Sequence, residues 1–185
     1  MADVLWVSIL WFFGTFLGVL FTLGSSTIAM YKVLNQLLDR DKHVSIFQLF
    51  IKTYVRHLRL SLGISTLFVG NLIGVVLIWQ QINTTGFGLG VVLFFVYVYE
   101  FILVITYGFG FYTLFTAPSH AIMLRNILIA MHKNLWVNVQ LLSPVVLAGM
   151  IFFYGHPAFI FLTVPLTVQL QLIILKRNYM HYLTE

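Results

Sequence analysis

The sequence contains no cysteine and few charged residues. Only 8% of its 185 residues are Asp, Glu, Lys or Arg, whereas a soluble domain carries about 25%. The absence of cysteine excludes disulfides, thiol nucleophiles and cysteine-based metal sites. Charged residues are scarce and 61% of the residues are hydrophobic, so the surface of the protein cannot face water on all sides. Most of the surface must therefore contact lipid or other helices, which indicates an integral membrane protein.

Sequence patterns of catalytic centres and cofactor sites are also missing. The histidines show no H-x-x-x-H spacing, no G-x-S-x-G occurs, and no glycine-rich loop follows a strand pattern. We therefore predict no catalytic residue, no metal site and no cofactor. The formal net charge of +5 would suggest a nucleic-acid partner for a soluble protein. In a membrane protein it reflects basic residues kept on the cytoplasmic side, so no nucleic-acid partner is expected.

Five apolar stretches are long enough to cross the hydrocarbon core of a bilayer, which is about 30 Å thick. Their length separates them from transmembrane strands, which are shorter and alternate polar with apolar residues. We predict an all-α polytopic membrane helix bundle that forms a single domain over residues 1–185. The predicted spans are about residues 4–29, 60–79, 86–111, 135–154 and 158–175.

All ten Lys and Arg residues fall on one side of this five-span arrangement. They lie between the first and second spans, between the third and fourth, and after the fifth. The other two connections contain none. Since basic residues are retained in the cytoplasm, we expect a plasma-membrane protein whose N-terminus is outside and whose C-terminus is cytoplasmic.

The two cytoplasmic connections have the pattern of amphipathic helices that lie on the membrane surface. In the first, apolar and basic residues recur on different helix faces, and Ser45 is placed to cap the helix. In the second, Pro118 ends the third span and Ser119 starts a helix with one apolar side. The first helix provides a candidate surface for anionic lipid or a partner protein. That surface consists of Phe47, Phe50, Lys52, Arg56 and Arg59.

Similar apolar and basic positions recur in the two connections, and each connection is followed by a span. This similarity predicts either a tandem repeat of span, surface helix and span, or a coincidence between two amphipathic helices. The residues that align at one constant offset are Phe47, Phe50, Ile51, Tyr54, Arg56 and Leu58 with Leu124, Ile127, Leu128, Met131, Lys133 and Leu135.

Glu100 is the one charged residue inside a predicted span. It shares a helical face with Tyr97 and Tyr107, and the three form a candidate intramembrane polar site. An ionised carboxylate in a bilayer is costly, so the side chain has two interpretations. It carries a proton or cation in a polar cavity, or it is a neutral acid that donates a hydrogen bond to a neighbouring helix. The candidate acceptors are Asn71, Gln140 and Gln169.

The first third of the chain contains a small-residue motif followed by an aromatic helix. The motif T-x-G-x-[ST]-x-x-A-x-Y occurs as Thr22-Leu23-Gly24-Ser25-Ser26-Thr27-Ile28-Ala29-Met30-Tyr31. A charged turn from Asp39 to Lys42 and the helix from Phe47 to Tyr54 follow. This arrangement resembles the N-terminal region of the YesL-like membrane proteins, a family of unknown function in Gram-positive bacteria. The second half agrees in layout, with Lys133-Asn134-Leu135 before the fourth span.

The resemblance implies no catalytic residues, because none are established for that family. It implies an association with carbohydrate use, since YesL-like proteins are often encoded beside carbohydrate ABC-transporter components and glycan-degrading enzymes. We therefore expect a non-catalytic accessory protein whose partners are the lipid bilayer and such transporter components. The alternative is a small proton- or cation-coupled secondary transporter that uses Glu100. An enzyme is disfavoured because no span pairs an acid with a base or carries a metal-ligand set.

Overall fold

The computed structural model describes residues 2–17, 22–38, 45–85, 88–114, 120–155 and 159–179, and the regular secondary structure in these ranges is helical. The helices are α1 (Ala2–Leu17), α2 (Leu23–Leu38), α3 (Ile46–Arg56), α4 (Leu58–Thr85), α5 (Leu89–Leu114), α6 (His120–Lys133), α7 (Leu135–Tyr154) and α8 (Ile160–Tyr179). Within these ranges, three helices contain segments long and apolar enough to cross a membrane. These segments are Leu58–Ile82, Gly90–Leu114 and Leu135–Tyr154.

The predicted first span, residues 4–29, is not one continuous helix. Trp11 Nε1 donates a hydrogen bond to Thr27 Oγ1 at 3.2 Å, and Thr15 Oγ1 lies 2.7 Å from Ser26 Oγ. Residues so far apart along the chain can meet only if α1 and α2 lie side by side and antiparallel. The start of α1 therefore lies beside the end of α2, and the prediction of a single span here is corrected to a helical hairpin.

A cluster of hydroxyl side chains closes the turn between α1 and α2. The Thr22 carbonyl accepts hydrogen bonds from the Ser26 backbone N–H at 3.0 Å and from the Ser25 hydroxyl at 3.0 Å. The Thr22 hydroxyl donates to the carbonyl of Gly14, back in α1. Ser and Thr favour helix starts because they bond to nearby backbone groups. These Ser and Thr residues are the sequence signal for the break between α1 and α2. Hydropathy averaged over the whole apolar stretch does not show this break.

Helices α4 and α5 form a second antiparallel hairpin, and α7 and α8 form a third. Trp79 and Phe94 lie 5.4 Å apart between ring centroids near the α4–α5 turn. Phe68 and Phe101 lie 5.7 Å apart farther from that turn. From the first contact to the second, the residue number falls from 79 to 68 in α4 and rises from 94 to 101 in α5. The two helices are therefore antiparallel.

One end of the bundle carries the basic residues. Helices α5 and α8 are parallel, because Gln171 contacts Thr106 and, one turn later, Leu175 fills the space that a Cβ at Gly110 would need. Both helices therefore finish at the same end, beside α6. We call it the basic end, since the basic residues of α3, of α6 and of the last turn of α8 lie there.

Helices α1, α2 and α3 pack against the basic end, where α4 begins and α5 finishes. The ring of Tyr31 in α2 stacks on Phe109 of α5 with centroids 5.7 Å apart. The His57 ring, at the junction of α3 and α4, meets Tyr112 of α5 edge-on at 5.5 Å. These contacts make the first three helices part of one core with the end of α5 and with α8.

The two predicted surface helices occupy equivalent places in the chain. A single residue, His57, separates α3 from α4, and a single residue, Asn134, separates α6 from α7. These two residues pair at the same constant offset as the aligned sequence positions. Four residues later, Ser61 and Asn138 are both buried, with exposed fractions of 0% and 1%. The α3–α4 and α6–α7 junctions therefore share a break and a buried position, but the first half has a hairpin where the predicted repeat of span, surface helix and span requires a single span.

The α1–α2 hairpin predicts a short distance between Leu5 and Lys32. One continuous helix would separate them by about 40 Å at 1.5 Å per residue, whereas packed antiparallel helices keep labels at these sites within about 25 Å. Because the chain has no cysteine, Leu5→Cys/Lys32→Cys can carry two nitroxides without background labelling. Double electron–electron resonance should give the shorter distance.

The control for this measurement is Leu60→Cys/Trp79→Cys, which lies within the single helix α4 and should give about 28 Å. A distance near 40 Å between positions 5 and 32, with the control as expected, would show that α1 and α2 do not form a hairpin.

Candidate functional site

Gln171 of α8 is the centre of a buried polar cluster. Its side chain is 3% exposed. The Oε1 atom accepts a hydrogen bond from the Tyr31 hydroxyl at 3.0 Å. The Nε2 group donates to Thr106 Oγ1 at 3.2 Å and to the Leu141 carbonyl at 3.3 Å. The amide thereby joins α2, α5 and α7 to α8, and these bonds offset the cost of burying it.

Pro144 explains why carbonyl groups of α7 are open to side chains. A proline inside a helix cannot donate to the carbonyl four residues earlier, and its ring crowds the carbonyls of the preceding turn. The Ser143 hydroxyl donates to the freed carbonyl of Gln140 at 2.9 Å. The next carbonyl, of Leu141, accepts from Gln171. The proline is therefore part of the helix packing, and its freed carbonyls have partners.

A second buried cluster surrounds Asn138 of α7, which is 1% exposed. Its Oδ1 atom accepts from the Tyr107 hydroxyl at 2.9 Å. Its Nδ2 group donates to the Met131 carbonyl and to the Tyr99 hydroxyl, the latter at 3.3 Å. The Tyr107 and Tyr179 hydroxyls lie 3.2 Å apart. This cluster links α5, α6, α7 and α8 near the basic end.

The structure separates the three residues of the predicted intramembrane polar site. The Tyr97 hydroxyl donates to Asn71 Oδ1 of α4 at 2.6 Å, so one expected partner of Glu100 is engaged elsewhere. Tyr107 belongs to the Asn138 cluster, where its partners lie on α7 and α8. Glu100 is half-buried, and among the described residues its carboxyl group has no hydrogen-bond or ion-pair partner. The three side chains therefore do not form one hydrogen-bonded site.

The residues of the predicted lipid or partner surface divide into two groups. Lys52, Arg56 and Arg59 are exposed, and none forms an ion pair within the part of the chain that the structure describes. Phe47 is 62% exposed. Phe50 is 2% exposed and belongs to the core, because its position on the helix turns it toward α1 and α2. The surface therefore consists of the basic residues and Phe47, without Phe50.

The small-residue motif of α2 permits close approach of α4. A Cβ atom added at Gly24 would lie 3.1 Å from Ser61 Oγ and 3.2 Å from Ile64 Cβ. The Ser25 backbone N–H donates to Ser61 Oγ at 2.9 Å, so a side chain of α4 satisfies a free donor at the start of α2. Ala29 is fully buried. These contacts require small residues at the crossing of the two helices.

The family model described as "Protein of unknown function, DUF624" matches residues 4–80. The matched range begins in α1, includes α2 and α3, and ends within α4. This match agrees with the resemblance of the first third of the chain to the YesL-like proteins. No curated protein and no solved structure matches the chain.

Four of the five fixed positions of the YesL-like motif, namely Thr22, Gly24, Ala29 and Tyr31, have the following packing roles in this structure. Thr22 closes the turn with α1, and Gly24 admits α4. Ala29 is buried, and Tyr31 donates to the amide on α8. The motif therefore specifies how the segment matched by the family model packs internally and against the last helix. It supplies helix contacts, and these do not by themselves indicate catalysis.

The sequence interpretation missed both buried amides, Gln171 and Asn138. An amide inside an apolar helix is itself a signal, since a polar side chain in a bilayer needs a partner. Gln140 and Gln169 carry the same signal in the same helices, and composition cannot separate the four. Gln171 and Asn138 become the centres of clusters because they lie on the helix faces that contact neighbouring helices.

Replacing the central amide tests the Gln171 cluster. Gln171→Leu should lower the free energy of unfolding by about 1–3 kcal/mol, because the Tyr31 hydroxyl and the Leu141 carbonyl lose a buried partner. The matched control, Gln169→Leu, alters a half-buried amide of the same helix that has no side-chain hydrogen bond to the described residues. Thermal unfolding in a mild detergent measures both variants. Equal losses in the two would mean that the cluster does not stabilise the bundle.

Proposed function

We propose that this chain is a non-catalytic accessory protein of the plasma membrane, which acts through helix contacts with a membrane partner. The observation that supports this proposal is the use of the interior polar groups. Gln171 and Asn138 bond the helices to one another, so their polar atoms are engaged in the scaffold. Apolar side chains cover the exposed faces of α4, α5 and α7, with Phe153 at 81% exposure. Such faces suit lipid and other membrane helices.

Carbohydrate ABC-transporter components are the partners that the YesL-like resemblance implies. A path for a hydrophilic sugar through this chain would need buried polar groups directed at a cavity. The buried polar groups of α5, α7 and α8 are directed at each other instead. This interior favours a role beside a transporter over transport of the sugar by the chain itself.

We propose that the basic end faces the cytoplasm, since basic residues are retained there. The expectation of an external N-terminus depended on a single span over residues 4–29. With α1 and α2 as a hairpin, the start of α1 lies beside the end of α2, next to the basic segment that leads into α3. The proposal therefore puts both termini on the cytoplasmic side.

Cysteine accessibility tests this orientation. Asp3→Cys, Thr84→Cys and Asn178→Cys introduce one thiol each into a chain that has none. A membrane-impermeant maleimide added to intact cells should label only position 84, which lies in the last turn of α4 at the end opposite the basic end. All three positions should react after permeabilisation, which is the control for exposure. Labelling of position 3 in intact cells would contradict the cytoplasmic N-terminus, and labelling of position 178 would contradict the whole orientation.

Glu100 supports a second candidate function. A half-buried carboxyl group in α5, without a partner among the described residues, is free to exchange a proton or bind a cation. In this alternative the chain is a small proton- or cation-coupled secondary transporter. The apolar residues around it argue for the accessory role, because a coupling site of this kind ordinarily has several polar ligands.

Glu100→Gln separates the two functions, because Gln nearly matches the shape of Glu but cannot titrate. The accessory role predicts that tagged wild-type protein and the variant co-purify the same carbohydrate-transporter membrane subunits in mild detergent. It also predicts equal growth of the wild-type and variant strains on carbohydrates that ABC transporters take up, with the gene deletion as the baseline. The transporter role predicts an unchanged thermal midpoint and loss of growth. Absence of transporter subunits from the wild-type preparation would refute the accessory role.

A further inference from the structure

Helix α3 has an exposed apolar sector that is separate from the face it buries in the protein. Phe47, Ile51 and Val55 recur every four residues and fall within about 80° of the helix circumference at 100° per residue. Their exposed fractions are 62%, 42% and 59%. Phe50 and Thr53, which are 2% and 4% exposed, lie on the face turned toward the protein. The buried face of α3 makes its main contacts with the rest of the protein. The exposed apolar sector lies outside this face, so it is available to acyl chains or to another molecule.

A basic sector adjoins the apolar one. Gln48, Lys52 and Arg56 recur every four residues on the next part of the circumference, and all three are exposed. Arg59, in the first turn of α4, extends this sector past the junction and is also exposed. No Asp or Glu occurs in residues 42–99. The cations therefore have no acidic neighbour along this part of the chain, and none forms an ion pair with another described residue.

We propose that α3 is a binding site for anionic phospholipid headgroups at the basic end of the bundle. The basic sector would contact the headgroup phosphates, while Phe47, Ile51 and Val55 enter the boundary between headgroups and acyl chains. A helix with a protein face, an apolar face and a cationic face fits a place where protein, acyl chains and headgroups meet. The inference rests on the proposed membrane placement, and it does not depend on the accessory role.

The equivalent helix α6 lacks this separation, which makes α3 the stronger site. In the repeat alignment, Ile129 takes the place of Lys52, and it is 53% exposed. His132 takes the place of Val55 and is exposed. Apolar and polar side chains therefore alternate around the exposed side of α6, so the helix cannot direct one sector at headgroups and the other at acyl chains.

Lipid binding to purified protein tests the site. The full chain in mild detergent is titrated with phosphatidylglycerol or phosphatidylcholine, and bound lipids are counted by native mass spectrometry. Each cation near an anionic surface strengthens binding about fivefold, so Lys52→Gln/Arg56→Gln should weaken phosphatidylglycerol binding by about 25-fold. Phosphatidylcholine binding should not change. The control, Arg125→Gln/Arg177→Gln, removes two other exposed cations and should change phosphatidylglycerol binding much less.

Depth measurements in vesicles complete the test. A fluorophore on Phe47→Cys should be quenched by a shallow lipid-attached quencher, and one on Lys52→Cys by aqueous iodide. Equal weakening by the two charge variants, or equal binding of the two lipids, would overturn the proposal. Iodide quenching at both positions would also overturn it, since α3 would then face water or a soluble partner. Flotation of every variant with the vesicles would show that the protein is still inserted in the membrane, even if the lipid-binding proposal is overturned.

Discussion

The packing of the whole bundle depends on the need of one buried amide for partners. Gln171 fills its hydrogen-bonding capacity only when α2, α5 and α7 all contact α8. The Leu141 carbonyl, in the turn before Pro144, accepts from Nε2, and Tyr31 contributes the hydroxyl that reaches Oε1. Residue 80 ends the YesL-like match, yet Tyr31 within that match is satisfied by a residue of the last helix. The matched segment therefore completes its packing only with helices that lie far beyond it in the sequence.

Two units, α3 with α4 and α6 with α7, show how one side chain at a corresponding position changes the packing of neighbouring helices. Ser61 and Asn138 occupy equivalent buried positions, four residues after the break that follows a surface helix. The short hydroxyl of Ser61 lets the start of α2 approach until Gly24 touches it. The longer amide of Asn138 instead spans a wider gap to tyrosines of α5. The first unit thus packs by close contact of small residues, and the second by a polar cluster.

Most buried polar side chains of the bundle form hydrogen bonds that hold the helices together. The residues available for function therefore lie mainly on the surface. The Asn138 cluster engages Tyr107, and Asn71 engages Tyr97, the two tyrosines that the sequence placed in a site with Glu100. Outside these clusters lie the half-buried carboxyl of Glu100, the buried side-chain oxygens of Asn35 and Gln36 in α2, which have no hydrogen-bond partner among the described residues, the apolar faces of α4, α5 and α7, and the basic sector of α3. Faces of this kind bind lipids and other helices, since they offer area and charge but no reacting groups.

The sequence by itself determined the all-α class, the three long apolar helices and the positions of α3 and α6, because length, hydropathy and helical periodicity are local properties. It also contained the YesL-like motif. Tertiary structure decided that the predicted first span folds back as a hairpin, that Phe50 is core, and that Gln171 and Asn138, rather than Gln169 and Gln140, are the amides that bond the helices to one another. Each of these outcomes depends on which neighbour a helix face meets. A turn or a hydrogen bond that depends on contact between helices cannot be recognised from the local sequence. The same small or amide residue can also occur on a helix face that contacts no other helix.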